Sequence, residues 1–69
     1  MKGKIKRVFV GRGFGFIRDE YGRDIYFHRS DVKDGSFEKL KEGQQVEFEV
    51  ERDPKGYRAV NIREWRRAA

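Results

Sequence analysis

Over most of this chain apolar and polar residues alternate with a period of two, and the runs are broken where Gly, Asp or Pro occurs. That period places successive side chains on opposite faces of an extended strand. Ile5 to Val10 reads as a first strand whose parity switches, because Ile5 is odd while Val8 and Val10 are even. The switch predicts a bulge near Lys6-Arg7, with Val8 and Val10 inward and Phe9 outward. Gly13 to Arg18 reads as the second strand, Asp19-Glu20-Tyr21-Gly22 as a turn, and Asp24 to His28 as the third strand with Ile25 and Phe27 inward. Residues 29–43 read as a loop with one short helical turn around Ser30-Asp31-Val32. Val46, Phe48 and Val50 alternate with Glu47, Glu49 and Glu51, which predicts a half-buried fourth strand. Asp53-Pro54-Lys55-Gly56 suits a type I turn, and Arg58 to Arg63 is the fifth strand, with Val60 and Ile62 inward. No long amphipathic helix is written anywhere. The expectation is an all-β fold, five antiparallel strands closed into a small barrel, with one domain over 1–63 and a short tail, possessing at most a frayed helical turn, over 64–69.

One strand departs from ordinary folding logic. In Arg12-Gly13-Phe14-Gly15-Phe16-Ile17 both phenylalanines fall on one face, and the other face carries Gly13, Gly15 and Ile17. Glycines suit close packing inside a narrow barrel, so the rings are turned to solvent. Tyr26 and His28 face outward beside them from the third strand. Folding alone gives little reason to expose rings in this way, which points to a ligand that they touch.

Charge narrows the ligand class. Seventeen Lys and Arg against twelve Asp and Glu leave a net charge of +5. Lys2, Lys4, Lys6, Arg7 and Arg12 precede the first acid; Arg58, Arg63, Arg66 and Arg67 gather near the end, and the acids of the fourth strand lie between. Basic and acidic surfaces are therefore expected on different sides of the barrel, and a basic face with exposed rings is the footprint of a nucleic-acid binder. Other classes recede. With no cysteine there is neither a disulfide nor a thiolate metal site, and the lone His28 has no ligand-spaced cluster, so no metal and no cofactor is expected. His28, Ser30 and Asp31 are the only local candidates for catalysis; at a strand end followed by a loop they are not expected to converge, so no enzyme is expected. No apolar run reaches membrane-spanning length and no signal-peptide pattern precedes the first strand, which makes the cytoplasm the expected location. No large apolar patch lies beyond the binding face, so a monomer is expected.

The two ring-bearing segments carry a family resemblance. Arg12-Gly13-Phe14-Gly15-Phe16-Ile17 resembles the first ribonucleoprotein motif of the cold-shock domain, K-G-F-G-F-I, and Asp24-Ile25-Tyr26-Phe27-His28 resembles the second, D-V-F-V-H. The likeness runs without gaps through Leu40, Glu42-Gly43-Gln44, Val46, Phe48 and Lys55-Gly56 to Ala59 and Asn61-Ile62. It implies a five-stranded Greek-key OB-fold barrel that binds single-stranded RNA or DNA, pyrimidine-rich by family habit, on its second and third strands. It also implies an RNA-chaperone role, with effects on transcription or translation. By position the family's stacking rings correspond to Phe14, Phe16, Tyr26 and His28, and its loop aromatic to Phe37, unless that ring plugs the barrel end. Arg12 stands where the motif has its phosphate-binding lysine, and Lys6 where the first strand has another basic contact.

Three positions depart from the pattern. Arg7 and Val8 stand where the family carries tryptophan and phenylalanine, Arg29 replaces the aromatic that ends the second motif, and Tyr57 replaces a proline. Guanidinium planes stack on bases, so Arg7 and Arg29 are expected to exchange ring contacts for cation–π and phosphate contacts. Phe9 is expected to restore part of the missing ring surface, and Arg58 to add a cation. Weaker sequence preference and a steeper salt dependence follow. Trp65 lies outside the match and has no assigned role; it either caps the barrel or is disordered. A competing class is a small protein-interaction barrel that grips a peptide with the same rings, although the cationic surround argues against it.

Overall fold

In the computed structural model, which describes residues 1–33 and 37–65, the alternating segments become β1 (Lys2–Phe9), β2 (Phe14–Asp19), β3 (Asp24–His28), β4 (Gln45–Asp53) and β5 (Gly56–Glu64). They close into a barrel in the order β1-β2-β3-β5-β4, the OB-fold arrangement. Four of the neighbouring pairs are antiparallel, but β3 and β5 run parallel where Tyr26 meets Arg58. The expectation of a wholly antiparallel sheet is corrected here. A closed ring with an odd number of strands cannot alternate direction all the way round, so one seam must be parallel. A bridge between Val32 and Ile62 continues that seam.

The interior is filled by alternate residues of all five strands, among them Ile5, Ile17, Ile25, Phe27, Val46, Phe48 and Ile62. Each such side chain contributes about 1.5–3 kcal/mol on leaving water. The connection from β3 to β4 holds 3₁₀ turns at Arg29–Asp31 and Phe37–Lys39, and it drops Phe37 and Leu40 into the same core. The second of these turns was not foreseen. Residues 34–36, including the Gly35-Ser36 flank of Phe37, lie outside the described residues, as do residues 66–69 of the tail.

The predicted bulge in β1 is present, as a register shift between Ile5 and Arg7 against β2. It lets Ile5 point inward on one side of the shift and Val8 pack against the core on the other. Val10 does not follow. It is 49% exposed, beyond the end of β1, because the chain turns there and the N–H groups of Arg12 and Gly13 both donate to the Phe9 carbonyl (3.0 and 2.8 Å). Gly13 belongs to this turn, with φ of +79°, so β2 starts one residue later than expected.

A second shift separates Glu47 and Glu49 of β4, which pair with Arg63 and Val60 of β5. The extra β5 residue accounts for Asn61 at φ +51°, a region that Asn enters more readily than most residues. It also accounts for Ala59 and Ile62 both entering the core although one is odd and the other even, while Val60 stands opposite the outward Glu49. The Asn61 amide donates to Glu49 Oε2 at 3.0 Å.

Gly15 faces the interior as its parity requires. A Cβ there would stand 2.6 Å from the Arg7 carbonyl oxygen and 2.8 Å from Phe27 Cζ, so Phe27 occupies the volume that a β2 side chain would otherwise fill. The β2–β3 turn is tied by Asp19, whose buried carboxylate accepts from the N–H groups of Tyr21 and Arg23 (2.9 Å each) and from Arg23 Nε (2.8 Å). Burial pushes this carboxyl up, but the bonds from Arg23 and Tyr21 and the Arg23 charge outweigh it and hold it below its ordinary value.

Candidate nucleic-acid interface

Antiparallel register lines up the outward residues of β1, β2 and β3 in rows. Phe9, Phe14 and His28 form one row, Arg7, Phe16 and Tyr26 the next, and Lys4, Arg18 and Asp24 a third. The rings of the first two rows touch one another. Phe9 and Phe14 have centroids 4.9 Å apart, Phe14 and Tyr26 5.9 Å, and Phe16 lies 6.1 Å from both Phe14 and Tyr26, edge-on to each. Tyr26 is 37% exposed and the others are half-buried. Each ring is thus braced by the next while part of it remains open, a surface pre-organised for flat ligands. A hollow of about 410 Å³ opens beside it, lined by Lys6, Arg7, Phe9, Phe16 and Asp24.

The cations divide into free and engaged. Among the described residues Arg7 and Arg12 are exposed and carry no ion pair. Lys6 Nζ is 2.6 Å from Asp24 Oδ2, and Arg18 Nε is 3.3 Å from Asp24 Oδ1. The hydrogen bond from Lys6 holds the Asp24 carboxyl below its ordinary value, with a smaller contribution from Arg18. Arg58 lies against Asp31 through two bonds, of 2.8 and 3.0 Å, which raise the guanidinium further above its already high value. Its charge is therefore spent largely inside the fold, next to Tyr26. Arg29 is 3.9 Å from Glu38 and lies over the Phe37 ring at 5.8 Å.

Phe37 is the main correction to the candidate site. It is only 4% exposed and packs edge-on against Phe27 at 6.2 Å, so it plugs the barrel end and offers no face to a base. A second correction concerns His28 and Ser30, which do converge: His28 Nδ1 accepts from the Ser30 N–H at 3.1 Å and lies 3.0 Å from Ser30 Oγ. Asp31, however, is turned away from the imidazole. It accepts from the His28 backbone N–H at 2.9 Å and from Arg58, so the carboxylate caps a 3₁₀ turn and does not orient the imidazole against Ser30.

The acids of β4 lie on a strand that does not neighbour β2, but β4 does adjoin β1, where Lys2 stands opposite Glu47, so the expected separation of basic and acidic sides is incomplete. Arg58 and Arg63 also sit opposite Glu51 and Glu47 in register, so the late arginines of β5 do not form a uniform basic face. The ion-pair partners Asp24 and Asp31 carried no signal in the sequence pattern, because they are brought to their cations by pairing between distant segments.

Known proteins share this arrangement. The family model described as the 'Cold-shock' DNA-binding domain matches residues 1–65. The chain is 47% identical over 62 residues to the cold shock-like protein CspA of Stigmatella aurantiaca, covering 88% of this chain and 91% of that protein. It is 43% identical over 61 residues to the major cold shock protein of Streptococcus pyogenes serotype M1, again covering 88% and 91%. The solved structure of drosophila Unr CSD456 superposes with a TM-score of 0.73 at 25% identity; the match covers 94% of this chain and 26% of that one.

Proposed function

The chain belongs to the cold-shock domain family, a family of single-stranded nucleic-acid binders, and from that premise we propose that its β1–β3 face captures unpaired, pyrimidine-rich RNA or DNA as a cytoplasmic monomer. The observation that carries this reading is the braced set of Phe9, Phe14, Phe16 and Tyr26, exposed on the one face where β2 places glycine inside. Stacking on these rings accepts any base; Arg7 and Arg12 supply charge to the phosphates between them, and Lys6 adds to it only against the hold of Asp24. The Nε2 edge of His28 and the exposed Arg29 extend the face at its β3 end. A site of about six nucleotides falls within the range of such folds. Because only the open strand fits, binding pulls a hairpin towards its melted form without ATP, which is how a chaperone of structured messages works.

The direct test titrates labelled hexathymidine and a U-rich hexamer at low salt against the parent and the Phe14→Ala/Phe16→Ala variant. With stacking worth about 1–3 kcal/mol per ring, the double variant loses on the order of a hundredfold or more in affinity. Affinity of the parent weaker than millimolar, or equal binding by the double variant with its fold intact, overturns the proposal. A steep salt dependence is expected from the arginine-rich rim, and binding that is the same at about 50 and about 300 mM salt removes the phosphate part of it.

A further inference from the structure

We propose that Trp65, with Lys2, Lys4 and Arg18, forms a second stacking site that holds a further nucleotide of the same strand, outside the Phe14–Phe16–Tyr26 surface; this rests on the nucleic-acid reading above. The third row of the outward face does not end at Lys4. Lys4 pairs with Gln45 on β4, and the Trp65 N–H donates to the Gln45 carbonyl at 3.1 Å. Arg18, Lys4, Gln45 and Trp65 thus follow one another across the barrel, one row along from Phe16 and Arg7. Strand rise and strand spacing put the tryptophan backbone on the order of 15 Å from Phe16.

Beside the tryptophan lies a groove of about 330 Å³ whose walls include Lys2, Lys4 and Arg18 together with the acids Asp19 and Glu20. Its walls are the indole and the aliphatic stems of the long cations, with their charged ends at the rim. That is a slot with a flat apolar wall and positive edges, the pairing that a base and its phosphates require. Continuity with the ring surface and complementary charge both select a nucleotide of the bound strand over a peptide. Two acids oppose the strand here, Glu20 at the rim and Asp24, which holds the Arg18 guanidinium at 3.3 Å, while the Asp19 carboxylate is taken by Arg23; Lys2 and Lys4 therefore carry most of the attraction.

Trp65 has no evident folding task. The buried core closes without it, and the residue is half-buried beyond the end of β5. Lys2 Nζ sits 4.6 Å from the centroid of its ring, on the face that a base would cover. A cation–π contact at an exposed site is weaker than base–aromatic stacking, so an arriving base displaces the ammonium, which is then free to meet the adjoining phosphate.

Trp65 is the sole tryptophan, so its fluorescence reports this groove alone. The experiment titrates oligothymidines of about four to about twelve nucleotides, reading anisotropy of an end label and indole emission together. Short strands that fill the ring surface bind with little change in emission; longer ones quench it and bind about five- to a hundredfold tighter. Trp65→Ala abolishes that gain on lengthening and leaves short-strand affinity unchanged, while Trp65→Phe keeps part of it. Strands lengthened with abasic sugar-phosphate gain only a salt-sensitive increment and do not quench. The proposal is overturned if emission stays constant at every length that binds, if the shortest binding strand already quenches fully, or if Trp65→Ala tracks the parent at all lengths. Failure of the underlying reading is distinct: then no strand binds at any length, and this inference falls with it.

Discussion

β2 and β4 both alternate with a period of two, yet they place the same residue type on opposite sides of the barrel. β4 buries Val46 and Phe48 and sends Glu47, Glu49 and Glu51 to water. β2 sends Phe14 and Phe16 outward and turns Gly15 to the interior. The β4 arrangement is the one that folding alone favours, since it removes apolar surface from water and keeps charge solvated. The β2 arrangement is tolerated because Phe27 of the adjoining strand fills the space over Gly15. Stability and binding are thereby assigned to different strands, and the two phenylalanines Phe48 and Phe16 measure the separation.

The largest expected effect is on the folding side of that contrast. Phe48→Ala opens a cavity in the core and costs about 3–5 kcal/mol of stability, enough to unfold much of a domain this small at ordinary temperature. Phe16→Ala lowers stability by less than about 1.5 kcal/mol and instead weakens binding to oligothymidine by about 1–3 kcal/mol. Urea unfolding and strand titration of both variants decide the matter. Comparable stability losses in the two would mean that the outward rings are part of the core after all.

Gly15→Ala tests why β2 is allowed to be inverted. The added methyl meets a backbone oxygen and the Phe27 ring, and neither is the free end of a flexible side chain. The expected cost is about 1–3 kcal/mol in stability, with Phe27→Leu in the same chain recovering part of it by vacating the space. A neutral Gly15→Ala would show that the glycine serves the ligand rather than the fold.

How far the sequence reached follows from the same contrast. Period-two alternation and motif spacing carried the strands, the first bulge and the rows of rings, because those depend on neighbours within one or two hairpins. What was illegible depends on contacts between distant segments. Phe37 lies in a loop without period, so nothing in its surroundings distinguished a plug from an outward ring; only the position of Phe27 decides it. The β5 bulge at Asn61 is visible only against β4, and the parallel seam only once the ring of strands is closed. Likewise Lys6 and Arg58 read as free cations until Asp24 and Asp31 are brought beside them.

The ion pairs of Asp24 give the smallest effect and the sharpest one. Asp24 stands in the third row of the binding face and holds both Lys6 and Arg18. Its carboxylate opposes an incoming phosphate and occupies two cations that would otherwise meet one. As an exposed pair it contributes little to stability, so Asp24→Asn leaves the fold essentially unchanged. The variant binds single strands about two- to tenfold more tightly at low salt, and its salt dependence steepens by about 0.7 in logarithmic slope for each phosphate newly neutralised. The pH dependence has a definite sign. Because the folded-state value of Asp24 is depressed, the carboxylate stays charged through neutral and mildly acidic pH, and any stability the pair confers is present above the ordinary carboxylate range. Both the pair and its opposition to phosphate are lost only as pH falls through that depressed value, so the affinities of parent and variant differ at pH 7 and converge in strong acid. Unchanged or weaker binding by Asp24→Asn at pH 7 would mean that Asp24 positions Lys6 for the ligand instead of competing with it.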